Sequence, residues 1–213
     1  LGDSQLFPLP DAVAGETTAE KLTRVREAMQ KANTDILPIT KLDQVAWLFN
    51  LRGWDIPYNP VFIAYAVITG DGAFLFTNLA RMADEIQATL QKHVTLLPYK
   101  QYEESLKSLI SQSNNLRVLL DPKHTTMGTY CLLEGVRVVE TANPIEGMKA
   151  RKNAIEILQM QVANLKASRG KVRTLKWISE ELASGKSLSE LDVARAIAQF
   201  YQQETDFQGL SFN

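Results

Sequence analysis

The sequence of 213 residues has little cysteine, no excess of charge and no long apolar run. Cys131 is the single cysteine, so no internal disulfide can form, which fits a reducing cytoplasmic setting. The formal net charge is −1, and this lack of a basic excess argues against a nucleic-acid partner. The longest apolar run, residues 61–69, is too short to cross a bilayer as a helix, so no membrane partner is expected.

Motifs for several kinds of chemistry are also missing from the sequence. It contains no glycine-rich phosphate loop, no serine in a nucleophile elbow and no paired cysteines. The two histidines, His93 and His124, lack a second ligand at metal-binding spacing, and we expect both at the surface or in turns. Cys131 adjoins Leu132 and Leu133 and is expected to be a small buried hydrophobe. On its own residues, the chain therefore carries no complete active site and no metal site.

Hydrophobic spacing predicts an α/β domain up to about residue 145. Thr17 and Glu20 have capping-box spacing at the start of a helix over 17–33. The turn Gly70-Asp71-Gly72 separates two predicted strands, 61–69 and 73–77, which indicates a hairpin. Strands then alternate with helices, so we expect a mixed β-sheet flanked by helices. The other predicted strands are 35–39, 94–97, 117–121 and 136–140, and the other predicted helices are 42–51, 79–91, 101–111 and 125–133.

Only helices are predicted after Pro144. Apolar residues at three- and four-residue steps indicate a long amphipathic helix over about 148–184, with Gly170 inside it. Gly185 ends this helix, and Ser187 or Ser189 caps the next one. Because two helices cannot bury such apolar faces by themselves, we expect a further layer to cover them.

The stretch LDQVAWLFNLRGWDIPYNP, residues 42–60, is the best candidate for a binding loop. Pro57 and Pro60 favour extended backbone at the residues before them, so side chains are displayed after a packed element. Arginine can bind a carboxylate through two hydrogen bonds, and Trp and Tyr offer amphipathic contact area. The alternative is a structural role, in which an Arg–Asp pair forms locally and the aromatic rings cover the sheet edge. The residues of this candidate substrate-approach loop are Arg52, Trp54, Asp55, Tyr58 and Asn59.

The segment LDQVAWLFNLRG with the following NPVF resembles the three-domain Xaa-Pro aminopeptidases, the aminopeptidase P branch of the creatinase-like metallopeptidases. PLPDAVAGETTAEKLTRVREAM is similar to that family's link into its second domain. SLSELDVARAI and FQGLSFN are similar to the start of its catalytic domain. The resemblance implies a linker over 1–16, a creatinase N-terminal-like α/β domain over 17–145, and two helices of an incomplete pita-bread catalytic domain over 146–213.

The resemblance also implies a function for the parent protein. It implies that the parent is a cytoplasmic, homodimeric metallo-aminopeptidase that removes the N-terminal residue of peptides with proline in second position. Two divalent metal ions, commonly manganese, are held by two Asp, one His and two Glu, and support hydrolysis. The alignment implies that these ligands all follow Asn213. This chain should therefore contain no catalytic residue, bind neither metal and be inactive by itself.

Two other interpretations stay open. Many relatives have a histidine in the first catalytic-domain helix where this chain has Lys166, Arg169 and Gly170, which indicates a divergent branch. A creatinase-like binding or scaffold module without metal or turnover is therefore the alternative function. A creatinase or prolidase would share the catalytic fold, but the segment before residue 17 and the LRG stretch resemble the second of three domains.

Overall fold

The computed structural model describes residues 2–211. Leu1, at the start of the expected linker, lies outside the described residues, as do Phe212 and Asn213 at the end of the FQGLSFN segment. The chain divides into two compact units, Leu1–Lys152 and Asn153–Asn213. None of the helices within residues 2–211 has both the length and the apolar character needed to span a bilayer.

Strands of the first unit form a large mixed sheet and a small separate one. In chain order the strands are β1 (Phe7–Pro8), β2 (Ile36–Ile39), β3 (Leu51–Arg52), β4 (Tyr65–Thr69), β5 (Ala73–Thr77), β6 (Thr95–Pro98), β7 (Arg117–Leu120) and β8 (Arg137–Glu140). The six-stranded sheet has the order β6-β5-β4-β2-β7-β8, and β1 pairs with β3. β4 is antiparallel to both β2 and β5, whereas the pairs β5–β6, β2–β7 and β7–β8 are parallel. The predicted mixed sheet is confirmed.

Helices cover both faces of this sheet. The helices of the first unit are α1 (Asp11–Ala14), α2 (Thr18–Lys31), α3 (Leu42–Leu48), α4 (Asp84–Leu90), α5 (Tyr102–Ser111), α6 (Met127–Leu132) and α7 (Pro144–Ala150). The second unit consists of α8 (Ala154–Ala183) and α9 (Glu190–Gln202) with the segments around them. Successive side chains of a strand point to opposite faces. Leu37 of β2 thus joins the buried cluster of Leu22 and Val25 from α2, whereas its neighbour Ile36 joins Tyr102 and Leu106 of α5.

Helix α2 begins as its sequence predicts. The Thr17 hydroxyl accepts a hydrogen bond from the Glu20 amide, and the Glu20 carboxylate accepts one from the Thr17 amide. A cap of this kind contributes ~1 kcal/mol to helix stability. Leu22, Val25 and Met29 lie on one face of the helix and are at most 2% exposed.

Two predicted elements are shorter or divided in the structure. The predicted strand 61–69 is regular only over β4. The Ile63 amide donates to the Asp55 carboxylate, and the Ile63 carbonyl accepts from the Thr77 hydroxyl, so neither joins the sheet. The predicted helix 79–91 is divided into a 3-10 turn, Leu79–Arg81, and α4, because the backbone between them is extended.

The predicted helix 42–51 is also shorter, because it ends as α3 at Leu48. Asn50 then adopts a left-handed conformation with φ of 50°. This turn directs Leu51–Arg52 into β3, where Arg52 lies opposite Phe7 of β1.

Residues 2–16, expected to form part of a linker, are packed on the first unit. Leu6 is 3% exposed and belongs to the main hydrophobic core. β1 follows it, and α1 ends at Gly15, whose φ of 70° permits a left-handed helix end. This part of the chain is therefore integral to the first unit.

The single helix predicted over 148–184 is two helices. α7 starts with Pro144 after an Asn143 cap and buries Ile145 completely in the first unit. α8 starts afresh at Ala154, because Asn153 and Glu156 form another capping box. The division between the units consequently falls after α7, whereas the expected domain boundary lay after residue 145.

Helices α8 and α9 of the second unit approach closely at a glycine. A Cβ on Gly170 would lie 2.4 Å from Cδ1 of Tyr201, so the missing side chain makes room for the tyrosine ring. Thr174, one turn after Gly170 on α8, and Ala196 on α9 are also buried. Ser189 and Asp192 form the capping box of α9. Of the two serines predicted as possible caps, Ser187 and Ser189, it is therefore Ser189 that caps the helix.

Candidate functional site

The candidate loop follows β3, and its side chains divide into an inward group and an outward group. Asp55 has a fully buried side chain. Arg52 is partly buried against the main chain of α3. Trp54, Tyr58 and Asn59 are exposed. The structure thus does not bring the five predicted residues together on one surface.

Asp55 is held by a buried arginine that the sequence did not point to. Nη1 of Arg81 lies 2.9 Å from both carboxylate oxygens, and the two side chains are 3% and 0% exposed. The Ile63 amide and the Ser4 hydroxyl also donate to this carboxylate. Burial alone would raise the pKa of Asp55, but the hydrogen bonds from Ile63, Arg81 and Ser4 together hold that pKa below its ordinary value. The pairing of Arg52 with Asp55, considered as the structural alternative, is wrong.

Arg52 instead binds the end of the preceding helix. Its Nη1 donates to the carbonyls of Ala46 at 2.8 Å and Leu51 at 2.9 Å. A cation near the C-terminus of a helix satisfies carbonyls that lack a partner within the helix and interacts favourably with its dipole. Arg52 therefore shapes the start of the loop through the main chain.

Lys21 is a second cation at this helix end, and sequence reasoning missed it. Its Nζ donates to the Trp47 carbonyl at 2.9 Å and to the Asn50 side-chain oxygen at 2.6 Å, and lies 4.2 Å from the centre of the Trp47 ring. The side chain is 1% exposed. Lys21 lies on α2, so no local pattern in the sequence connects it with residues 47–50. Arg81, on a separate 3-10 turn, was missed for the same reason.

Three large side chains of the loop are exposed to solvent: Trp54, Ile56 and Tyr58. They are 37%, 39% and 46% exposed, respectively. The Trp54 ring stacks on Phe7 with ring centres 6.2 Å apart. Tyr58 has a φ of 63°, and the Asn59 amide donates to the Ile56 carbonyl across this tight turn.

The histidines have the roles that the sequence predicts. His93 is exposed in the turn after α4. His124 lies in the turn after β7, where Nδ1 is 2.8 Å from Oδ2 of Asp121. The same Asp121 oxygen accepts the Asn143 amide, so this carboxylate joins the turn to the start of α7. Over residues 2–211, no three His, Cys, Asp or Glu side chains are grouped to hold a metal ion.

Cys131 is exposed, so the expectation of a buried thiol is wrong. α6 is a short helix with one inward face, on which Thr129 and Leu133 are 2% and 4% exposed. Thr129 and Leu133 share a helix face because they are four residues apart. Cys131 is two residues from each of them and therefore lies on the opposite side of the helix.

The architecture and the sequence together define the class of this protein. The sequence profile of the creatinase/prolidase N-terminal domain matches residues 2–156. The chain belongs to the creatinase/prolidase N-terminal domain family.

Its relatives include aminopeptidases much longer than this chain. It is 32% identical to Xaa-Pro aminopeptidase 1 of Dictyostelium discoideum, over 99% of this chain and 34% of that protein. It is 35% identical to the probable Xaa-Pro aminopeptidase P of Coccidioides posadasii, over 96% of this chain and 32% of that protein. The chain thus spans about a third of the length of these relatives.

Solved structures give the same likeness in three dimensions. The X-prolyl aminopeptidase of Caenorhabditis elegans, a cytosolic enzyme with a di-nuclear active site, matches with a TM-score of 0.87 and 27% identity, over 98% of this chain and 34% of that one. The Xaa-Pro dipeptidase of Bacillus anthracis matches with a TM-score of 0.60 and 14% identity, over 88% of this chain and 49% of that one. The second similarity concerns the fold alone.

Proposed function

We propose that this chain is part of a cytosolic Xaa-Pro aminopeptidase, which removes the N-terminal residue of peptides with proline in second position. It would supply the second α/β domain and the first helices of the catalytic domain. One observation carries the proposal: the similarity to Xaa-Pro aminopeptidases extends over 96–99% of the chain. It therefore includes α8 and α9 as well as the N-terminal domain matched at residues 2–156.

The apolar surface of α8 supports the assignment of this helix to a larger domain. Residues seven apart lie on nearly the same face of a helix. Two such series on α8 consist of apolar side chains that are each at least half exposed. The first series is Leu158, Leu165 and Val172, and the second is Leu175 and Leu182. A single long helix with this much exposed apolar surface fits a domain in which further chain covers it.

Two divalent metal ions, with manganese as the first to test, are part of the proposal. The described residues offer no group that would hold them, so the ligands would lie elsewhere in a longer protein. This chain alone is then expected to be inactive. Homodimeric assembly of the longer protein is also proposed.

The test compares the longer protein with residues 1–213 alone, each with manganese, on the tripeptide Arg-Pro-Pro. We expect free arginine from the longer protein only, with activity lost on chelation and restored by manganese. Arg-Ala-Pro, which lacks the second-position proline, is the control substrate and should be cleaved poorly.

Other outcomes would decide against the proposal. Cleavage of the dipeptide Arg-Pro but not of Arg-Pro-Pro would indicate a dipeptidase. No cleavage of any peptide by the longer protein would indicate a binding or scaffold module. Cleavage by residues 1–213 would show that the catalytic groups lie within this chain.

A further inference from the structure

We propose that a cleft on the first unit, between α2 and the starts of β5 and β6, binds the phosphate group of a small ligand. Three segments of the chain line this cleft: 19–26 on α2, 71–73 at the hairpin turn, and 91–95 at the turn between α4 and β6. We name it the α2 cleft. Such a site goes beyond the proposed function and does not depend on it.

The topology of the sheet brings the three segments together. β5 and β6 are parallel neighbours, so both strands begin at the same end of the sheet. The hairpin turn precedes β5 at this end, and the turn after α4 precedes β6. Leu22, Ala73 and Val94, one from each segment, are at most 3% exposed and supply an apolar, buried part of the lining.

The polar part of the lining includes three side chains that can donate hydrogen bonds to an anion: Arg26, Lys92 and His93. Arg26 is anchored through its Nε, which donates to the Thr69 carbonyl at 3.0 Å. Among residues 2–211, Nη1 and Nη2 of Arg26 and the side chains of Lys92 and His93 make no hydrogen bond or ion pair. A guanidinium held at one nitrogen has less freedom to lose when the other two bind a ligand.

A phosphate group suits these donors better than a carboxylate does. A guanidinium offers two parallel N–H groups, which match two oxygens of either anion. A phosphate has further oxygens for Lys92, which acts as a point charge, and for His93, which keeps one N–H in either neutral tautomer. The hydroxyls of Thr23 and Thr95 also line the cleft and can donate to the same group.

Positive charge exceeds negative charge in the lining. Asp71 is the carboxylate among the lining residues, and its Oδ1 accepts the Thr69 hydroxyl at 2.9 Å. Two positive charges, from Arg26 and Lys92, and one negative charge leave a net charge of +1 even when His93 is neutral. An excess of positive charge in a cleft raises the local concentration of anions.

The size of the cleft suits a phosphate ester as well as a free phosphate ion. Its volume is about 390 Å³, whereas a water molecule occupies ~30 Å³ in the liquid. A phosphate ion alone would therefore fill only part of it. Sites for small molecules commonly have volumes of roughly 300–1,000 Å³, so the remaining space can hold the small polar group of an ester.

Binding is tested on the 213-residue chain by two-dimensional NMR, with inorganic phosphate and glycerol 3-phosphate as probes at constant pH and ionic strength. We expect both probes to cause saturable shifts of the Gly72, Lys92 and Thr95 amides. A lower Kd for glycerol 3-phosphate would identify the ligand as a phosphate ester, and equal Kd values would identify it as the free ion. Acetate is the control for a carboxylate and should cause several-fold smaller shifts.

Lys92→Gln removes one of the charges at an exposed position and should leave Tm unchanged. It should weaken phosphate binding about tenfold, the equivalent of one charge-assisted hydrogen bond. Lys107→Gln is the matched control, because Lys107 is exposed on α5, which packs on the opposite face of the sheet. Arg26→Lys keeps the charge but not the two parallel N–H groups, and should weaken binding by a comparable factor.

Three results would rule out the site: shifts that do not saturate, acetate as effective as phosphate, or equal weakening by Lys92→Gln and Lys107→Gln. Each of them would indicate general screening of surface charge. None depends on whether the longer protein cleaves peptides, so the phosphate site and the proposed function can fail separately.

Discussion

Arg81 and Asp55 form a buried ion pair in which the carboxylate has more hydrogen-bond partners than the guanidinium. Nη1 of Arg81 contacts both carboxylate oxygens at 2.9 Å and also donates to the Gly2 carbonyl. Among the residues that the structure describes, Nε and Nη2 of the same guanidinium have no hydrogen-bond partner. Asp55 is therefore the main compensation for a charge that is almost completely removed from water.

Asp55→Ala should strongly destabilise the first unit. It leaves the Arg81 guanidinium buried without a counter-charge, which costs ~3–5 kcal/mol in comparable pairs. Urea unfolding should show this loss, and the double variant Asp55→Ala/Arg81→Leu should be more stable than Asp55→Ala. Glu103→Gln, at an exposed position on α5, is the control and should stay within ~0.5 kcal/mol of wild type. A double variant that is less stable than Asp55→Ala would contradict this account.

Glu146 makes stability depend on pH in the acidic range. Hydrogen bonds from Gln44 and Lys41, with the charge of Lys149, lower its pKa from 4.5 to about 2 despite partial burial. Because the folded-state pKa is lower than the unfolded one, the stabilisation is complete above pH 4.5 and is lost as pH falls towards 2. Glu146→Gln should make Tm less dependent on pH between 4.5 and 2. An unchanged pH dependence in this variant would show that other carboxylates account for it.

Features that depend on neighbouring residues could be predicted from the sequence. The Thr17–Glu20 capping box spans three positions, and the hairpin at 70–72 has its turn residues together. The alternation of strands and helices was enough to predict the mixed sheet. The break before α8 was also visible in principle, because Asn153 and Glu156 have capping-box spacing. Continuous helical periodicity through this region outweighed that signal.

The features that could not be predicted from the sequence depend on contacts between residues far apart in the chain. Asp55 and Arg81 are 26 residues apart, and Lys21 and Trp47 also 26, so no local spacing connects either pair. Without these partners, Asp55 looked like a displayed binding group although its side chain is buried. The aromatic part of the loop could be predicted as exposed because Pro57 limits the conformations of the turn.

Cys131 should react as an accessible thiol in the folded protein. Its exposure on α6 leaves it open to a disulfide reagent without unfolding. We expect one equivalent of thiol to react with Ellman's reagent under native conditions at a rate close to that in denaturant. A large acceleration on unfolding would contradict the exposed position.

Gly170→Ala should destabilise the second unit although alanine favours helix. In an open helix the change would gain ~1 kcal/mol from helix propensity. Here the new Cβ would lie 2.4 Å from the Tyr201 ring, and such overpacking costs ~1–3 kcal/mol. Thermal unfolding followed by circular dichroism should therefore show a lower Tm for this variant.

Two comparisons show whether the Tyr201 contact is the cause. Gly147→Ala in α7 is the matched substitution at a helical glycine with open space around it, and it should raise stability by ~0.5–1 kcal/mol. In a Tyr201→Ala background, Gly170→Ala should become stabilising, because the ring that opposes the new methyl group is gone. If Gly170→Ala remains equally destabilising there, the close approach of α8 and α9 at this glycine does not depend on the tyrosine ring.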